Sequence, residues 1–181
     1  MIDLNTDMLR ETIDTIKQKV PDTKLHPYKL DLSTDFEKFD DTMKTINKDF
    51  GQIDVLVNNA GVLAVGNLGM IDLDMGFLFL RNTVSTILDI FLKSQTKDTY
   101  DHMMAVNVKA PLFMTQAALP YLSVTRGNII NTSSASANSA MPLVLTAYGM
   151  GKAAVSRLTE LAAADGVKEV EKSFILFKLY T

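Results

Sequence analysis

Tyr148 and Lys152 are the residues whose types and spacing most directly suggest chemistry. They lie four positions apart in TAYGMGKAAVSRL, so in a helix they share a face and the Lys152 ammonium can lie near the Tyr148 phenol. A free phenol titrates near pH ~10, and a nearby positive charge favours its ionised form. The pair therefore predicts a tyrosine that acts as an acid or a base. The competing interpretation is a chance spacing on an amphipathic helix, with a solvated surface lysine.

Three further segments place polar residues beside apolar strands or helices. IDVLVNNAG, at Ile53–Gly61, predicts a buried parallel strand that ends in a tight turn. AVNVK, at Ala105–Lys109, places Asn107 ahead of an apolar helix, and GNIINTSS, at Gly127–Ser134, is a β-branched strand that ends in two serines. Open α/β sheets bind ligands at the carboxyl ends of their strands, so these segments predict one shared site.

Taken in order along the chain, NNAG at Asn58–Gly61, Asn107, Ser134, and Tyr148 with Lys152 resemble the motifs of the short-chain dehydrogenase/reductase family. The resemblance extends over most of the chain. It implies an α/β fold of the Rossmann-like kind, with three αβα layers around a parallel sheet. It also implies an NAD(P)-dependent oxidoreductase that transfers hydride between a nicotinamide and an alcohol or carbonyl substrate.

The resemblance assigns a catalytic role to four residues. Tyr148 would be the general acid or base, and Lys152 would lower the pKa of its phenol and hold the nicotinamide ribose hydroxyls. Ser134 would hydrogen-bond the substrate oxygen, and Asn107 would anchor a water on the proton path. Ser134 is preferred to Ser133 because the family serine is the second of the pair. A small-residue loop that merely permits close packing is the alternative for the serine cluster.

The resemblance also implies a set of cofactor-binding residues. They are Asp3, Asp31, Leu32, Asn58, Ala60, Gly61, Tyr148 and Lys152. Asp31 and Leu32 would contact the adenine, and Gly61 would let the backbone approach the ribose closely. An acidic Asp3 would bind the adenosine ribose and disfavour a 2′-phosphate, which favours NAD over NADP. A turn or capping role is the alternative for both aspartates.

The glycines of the chain form no phosphate-binding fingerprint near the N-terminus. Measured against the family, Met1 falls at the end of the second strand. The sequence therefore predicts one incomplete domain over residues 1–181, without the first strand, the glycine-rich loop and most of the second strand. The strands at Tyr28–Leu32 and Val55–Asn59 would then either pair with each other or expose two apolar edges.

A second departure is a predicted insertion at residues 65–97, which contains MGFLFLRNTVSTILDIFLK. Its apolar residues recur on one helical face, and charged residues interrupt it, so a membrane span is not expected. Three interpretations stay open: a helix that covers the sheet, a helix that binds a membrane or partner, or sequence outside a working fold. With GVKEVEKSFILFKLYT at the end, the chain resembles a truncated or alternatively spliced form, or a faulty gene model.

Between the motifs, hydrophobic periodicity predicts alternating helices and strands. The predicted helices are Asp7–Lys19, Asp35–Phe50, Thr99–Leu122 with a bend near Pro111, and Ala147–Ala164. The predicted strands are Tyr28–Leu32, Val55–Asn59, Asn128–Thr132 and Phe174–Leu179. In the family, the helices that carry Asn107 and Tyr148 form a subunit interface, so a homo-oligomer through them is one interpretation and a monomer core is the other.

Composition limits the remaining classes of function. The formal charge of -3 and the lack of a basic run argue against nucleic acid as a partner. The absence of cysteine excludes disulfides and thiolate metal sites, and we expect no metal. His26 and His102 are isolated, so surface or packing roles are expected. The polar N-terminus lacks an apolar signal core, which predicts a cytoplasmic protein.

Two hypotheses follow. The first is a short-chain oxidoreductase acting on a small alcohol or carbonyl. The second is a catalytically silent fragment that retains the site residues, cannot bind the dinucleotide and acts at most through dimerisation.

Overall fold

The computed structural model describes residues 1–63, 96–138 and 146–164, together with the backbone of 172–178. The predicted insertion at 65–97 lies almost entirely outside the described residues. The secondary structure alternates between strands and helices, as predicted. Its strands are β1 Ile2–Asp3, β2 Tyr28–Lys29, β3 Val55–Asn58, β4 Asn128–Ser134 and β5 Lys172–Lys178. Its α-helices are α1 Thr6–Lys19, α2 Phe39–Phe50, α3 Lys97–Met104, α4 Ala110–Thr125 and α5 Thr146–Ala164.

All strand pairings among the described residues are parallel, but they form two sheets rather than the single predicted one. β1 pairs with β2, and β3, β4 and β5 form a sheet in that order. In the larger sheet Val55 lies opposite Asn128, which in turn lies opposite Lys172. The segment between each pair of parallel neighbours contains at least one helix, as in other α/β proteins.

Direct pairing of the Tyr28 strand with β3, one of the two predicted alternatives, was wrong. The first residues of the chain instead form β1 beside it, with Ile2 opposite Tyr28. The Tyr28 strand is also shorter than the predicted Tyr28–Leu32, because the chain turns at Asp31. The other alternative, an exposed edge, holds for β3, which ends its sheet among the described residues. The outer side of β3 does leave apolar side chains exposed: Val55 is 48% and Val57 54% exposed.

Local sequence explains where the helices begin and end. Asn5 caps α1 by accepting hydrogen bonds from the amides of Asp7 and Met8. A 3₁₀ turn at Phe36–Lys38 precedes α2, and α2 ends at Gly51, whose φ of 89° is in the left-handed region that favours glycine.

The predicted bend near Pro111 is a π-helical turn at Ala105–Lys109, between α3 and α4. The amide of Ala110 donates to the carbonyl of Ala105, five residues back. Pro111 has no N–H, so the carbonyl of Asn107 lacks the donor that a regular α-helix would supply. A single π turn of this kind often marks a functional site.

The main apolar core lies between α2, α4 and the strands. Phe39, Leu122 and Ala118 are almost fully buried in it, with Leu56 and Ile129 from β3 and β4. Thus helices α2 and α4 pack together, while α5 packs over β4 and β5. No helix within the described part of the chain is long and apolar enough to cross a membrane.

Candidate functional site

A cavity of about 390 Å³ lies at the carboxyl ends of the strands. The ends of β1, β2 and β3 and the segments after them form one part of its wall, and α3, the π turn, the end of β4 and α5 form the rest. It is lined by Asp3, Leu4, Leu30, Asp31, Leu32, Asn59, Ala60, Gly61, Val62, Leu63, His102, Val106, Thr132, Ser133, Tyr148 and Lys152. Most of the predicted cofactor residues therefore share one cavity.

Tyr148 and Lys152 both line this cavity from α5. Tyr148 is 5% exposed and packs in an apolar cluster with Met103, Ala147 and Val62. The Nζ atom of Lys152 lies 5.7 Å from the centre of the Tyr148 ring, so the predicted shared face is observed. Lys152 is only 4% exposed, so it is not the solvated surface lysine of the competing interpretation.

The Lys152 ammonium is held by the backbone of β4. Its Nζ donates to the carbonyl of Thr132 at 2.7 Å. Burial lowers the pKa of this ammonium, because removal from water disfavours the charged form. A desolvated cation acts strongly on neighbouring groups, since less water screens it.

Asn107 lies behind the cavity wall, where its side chain fixes the loop after β3. The Oδ1 atom accepts from the amide of Val62 and Nδ2 donates to the carbonyl of Val62, both at 2.8 Å. Asn107 is 1% exposed and does not itself line the cavity. The side-chain amide is fully engaged in this way, and the backbone carbonyl of Asn107 lacks the donor that Pro111 cannot supply.

Gly61 is a point where the loop after β3 approaches the side chains of Asn107 and Lys152 closely. A Cβ at this position would lie 3.2 Å from Oδ1 of Asn107 and 3.3 Å from Nζ of Lys152. A Cβ here would require Asn107 or the flexible tip of Lys152 to shift by a few tenths of an ångström. The close approach, rather than the backbone angles, therefore favours glycine.

Ser134 ends β4 but is not among the residues that line the cavity. Its hydroxyl accepts from the amide and the hydroxyl of Ser136, at 3.3 Å and 3.0 Å. Since a serine hydroxyl has one proton and two lone pairs, Ser134 can still donate to another group. Ser133 points elsewhere, toward the backbone of Lys152.

Both predicted aspartates line the cavity and also stabilise turns. Asp3 accepts from the amide of Asn5 at 2.8 Å, and Asn5 rather than Asp3 is the cap of α1. Asp31 accepts from the amide and hydroxyl of Ser33 at 2.8 Å and 2.6 Å, and these bonds lower the pKa of its carboxyl. Each aspartate thus has the turn role that the sequence left open, and each also lines the cavity. Leu32 follows Asp31 in the lining.

Of the two asparagines in NNAG, Asn59 rather than Asn58 faces the cavity. The Asn58 amide instead donates to Asn131 at 2.8 Å and to Thr115 at 3.2 Å, within the fold. The sequence could have indicated that only one of the two asparagines faces the cavity, because neighbouring residues of a strand point to opposite sides. His102, expected at the surface or in packing, is exposed and also lines the cavity from α3.

The lining contains no cluster suited to a metal ion within the described residues. Its charged groups are the carboxylates of Asp3 and Asp31 on one side and the Lys152 ammonium on the other, with His102 as a titratable group at α3. Carboxylates accept hydrogen bonds from hydroxyl groups, and an ammonium donates to oxygen. The arrangement can bind a polyhydroxylated ligand and place a phenol beside it.

Comparison with known proteins agrees with the motifs. The family profile described as short chain dehydrogenase matches residues 1–171. Galactitol 2-dehydrogenase of Agrobacterium fabrum is 30% identical over 142 residues, which cover 77% of this chain and 45% of that protein. The chain spans about half the length of the curated relatives that it matches.

Solved structures have the same fold. A short-chain dehydrogenase/reductase from Burkholderia phymatum in complex with NAD has a TM-score of 0.77 at 21% identity, with 99% of this chain and 56% of that chain covered. A metagenomic short-chain oxidoreductase in complex with NADP has a TM-score of 0.73 at 22% identity, with 98% and 68% covered. Both cofactors thus occur among structural neighbours, and the likeness establishes the Rossmann-like fold.

Proposed function

The chain belongs to the short-chain dehydrogenase family, and from this premise we propose that it transfers hydride between a nicotinamide cofactor and a small alcohol or carbonyl substrate. The observation that carries the proposal is the buried pair of Tyr148 and Lys152 in a cavity at the carboxyl ends of parallel strands. The relatives named as dehydrogenases support it.

The lining fits the nucleoside parts of such a cofactor. The Asp3 and Asp31 carboxylates can accept hydrogen bonds from ribose hydroxyls and the adenine amine, and Lys152 can donate to the second ribose. Gly61 leaves the space that a Cβ would fill. The carboxylate of Asp3 would repel a 2′-phosphate, so we favour NAD over NADP.

The cofactor, when bound, supplies or accepts the hydride. In carbonyl reduction Tyr148 donates its proton to the substrate oxygen as that oxygen gains negative charge. Ser134 donates a hydrogen bond to the same oxygen, since Ser136 already occupies its acceptor side. Lys152 stabilises the resulting phenolate, and a water on the carbonyl of Asn107 returns the proton. Alcohol oxidation runs these steps in reverse.

A second candidate is a catalytically silent role, with association through α4 and α5. It is favoured by the charges of the cavity, because two carboxylates and one lysine provide little attraction for a pyrophosphate. Both helices also expose large apolar side chains, namely Phe113, Met150 and Leu161. By contrast, Met114, Ala117 and Val155 on the same two helices are buried within the chain itself.

An assay of Tyr148→Phe tests the proposed function. The purified chain would be supplied with NADH or NAD⁺ and a panel of small carbonyls or alcohols, with absorbance of the reduced nicotinamide as readout. Loss of an acid–base group typically costs 10²- to 10⁴-fold in rate, so the variant should lose about that much while remaining folded. Equal rates in the wild-type and variant chains would contradict Tyr148 as the acid or base. A folded wild-type chain inactive on the whole panel would favour the silent role.

A further inference from the structure

Two neighbouring residues of β4 hold Lys152 at both ends of its side chain. The ammonium donates to the carbonyl of Thr132 at 2.7 Å, and the hydroxyl of Ser133 donates to the backbone carbonyl of Lys152 at 3.1 Å. The backbone carbonyl and the side-chain ammonium of Lys152 are therefore both hydrogen-bonded to the same strand. This leaves the ammonium little freedom relative to the sheet.

Ser156, one turn further along α5, completes the contact at the Lys152 carbonyl. Its Oγ lies 3.1 Å from that carbonyl and 2.7 Å from Oγ of Ser133. Each hydroxyl has one proton. One serine can therefore donate to the Lys152 carbonyl, while the other donates either to the same carbonyl or to the first serine's hydroxyl. Ser133 is 1% and Ser156 7% exposed, which keeps water from competing.

We propose that Ser133 and Ser156 act together as positioning residues, which fix the Lys152 ammonium relative to the phenol of Tyr148. The inference rests on the oxidoreductase function proposed above. Neither hydroxyl need touch substrate or cofactor, because both act through the backbone of Lys152. The effect of a charge on a buried neighbour depends steeply on their separation, so a shift of the lysine backbone would change how Tyr148 ionises.

Thr159 offers a matched control on the same helix and strand. Its hydroxyl donates to the carbonyl of Val155 at 2.8 Å and accepts from Nδ2 of Asn131 at 2.8 Å. Thr159 is 2% exposed, so it is as buried as the two serines. It also ties α5 to β4, but neither of its partners lines the cavity.

The test compares Ser133→Ala/Ser156→Ala with Thr159→Val in the chain without cofactor. Tyrosine labelled with ¹³C at Cζ reports each phenol by NMR, and Tyr148→Phe assigns the relevant signal among the five tyrosines. The other titratable groups that line the cavity, Asp3, Asp31 and His102, are unchanged in both variants. Melting temperature is recorded in parallel as the measure of a purely structural role.

We expect the alanine pair to move the titration of Tyr148 to higher pH by about one unit, a roughly tenfold change in its ionisation constant. Thr159→Val should lower the melting temperature without moving that titration. Ser156→Thr should retain the wild-type titration, since a threonine at 159 already makes the same bond to the carbonyl four residues earlier.

The proposal is overturned if the alanine pair lowers the melting temperature but leaves the Tyr148 titration in place, because the serines would then only hold the helix to the sheet. If the double variant does not fold, each single variant keeps one hydroxyl on the carbonyl and should give a smaller shift in the same direction; no shift in either also overturns it. The readout needs no cofactor, so failure to bind nicotinamide would contradict the proposed function without obscuring this result.

Discussion

The side chain of Asn107 pairs with the backbone of Val62 as one strand pairs with another, through Oδ1 to the amide and Nδ2 to the carbonyl at 2.8 Å each. This contact joins the π turn before α4 to the loop after β3, which are 45 residues apart in sequence. The loop carries Gly61 to within close approach of Lys152. The geometry of the cavity therefore depends on one buried amide.

Replacing Asn107 with alanine tests that dependence. The change leaves the amide and carbonyl of Val62 without these partners, so the free energy of unfolding should fall by about 2 kcal/mol. Cofactor affinity should fall as well, because the loop would no longer be fixed. Urea denaturation and calorimetric titration measure the two effects.

Asn58→Ala is the control, since Asn58 also donates from within the fold but lies outside the cavity lining. It should lose stability without a comparable loss of affinity. Equal losses of affinity in both variants would show that loop fixation by Asn107 has no special effect on the cavity.

Gly61→Ala tests the close approach of the loop. The added methyl would lie 3.2 Å from Oδ1 of Asn107 and 3.3 Å from Nζ of Lys152, and Asn107 is held by Val62. We expect the lysine to move instead, with a loss in stability of about 1 kcal/mol and a larger proportional loss in hydride-transfer rate. Steady-state kinetics beside thermal denaturation would check this, and an unchanged rate would mean that Lys152 tolerates the displacement.

Tyr28→Phe should change how stability depends on pH. The phenol donates to the Asp49 carboxylate at 2.7 Å, and burial, followed by this hydrogen bond and the carboxylate charge, raises the pKa of Tyr28 to about 12. A group with a raised folded-state pKa stabilises the fold below its unfolded pKa of ~10 and loses that contribution as pH rises toward 12.

The wild-type chain should therefore lose its advantage over Tyr28→Phe between pH ~10 and ~12. The same hydrogen bond lowers the pKa of Asp49, so the advantage should also shrink in acid, as pH falls through the folded-state value. Urea denaturation at neutral, acid and alkaline pH measures it, with Tyr121→Phe as the control tyrosine. A difference that stays constant through the alkaline range would refute the argument.

Local patterns in the sequence predicted most of the fold. The periodicity of α1, α2 and α5 gave their positions within one or a few residues, and the apolar runs gave β3 and β4. The π turn at Ala105–Lys109 was not predicted, because a proline in an apolar helix indicates a bend and a carbonyl without a donor four residues earlier, but not how the preceding turn rearranges.

Contacts between distant segments were the part of the site that the sequence could not supply. Tyr148 and Lys152 were found by their spacing on one helix, a local property. By contrast, the bonds from Ser133 to the Lys152 carbonyl and from Asn107 to Val62 join separate elements, and nothing in either segment alone specifies its partner. The end of the second family strand was expected near Met1, but the pairing that makes Ile2–Asp3 the strand β1 could not be read from the sequence, since its partner Tyr28 lies far along the chain.

Calorimetric titration of the folded chain with NADH, beside NADPH, tests the central claim most directly. Circular dichroism and size measurement would first establish that the chain is folded. The account predicts saturable binding in the micromolar range, tighter for NADH than for NADPH because of Asp3. A folded chain that binds neither nucleotide, even at millimolar concentration, would contradict the account and leave the silent role as the better description.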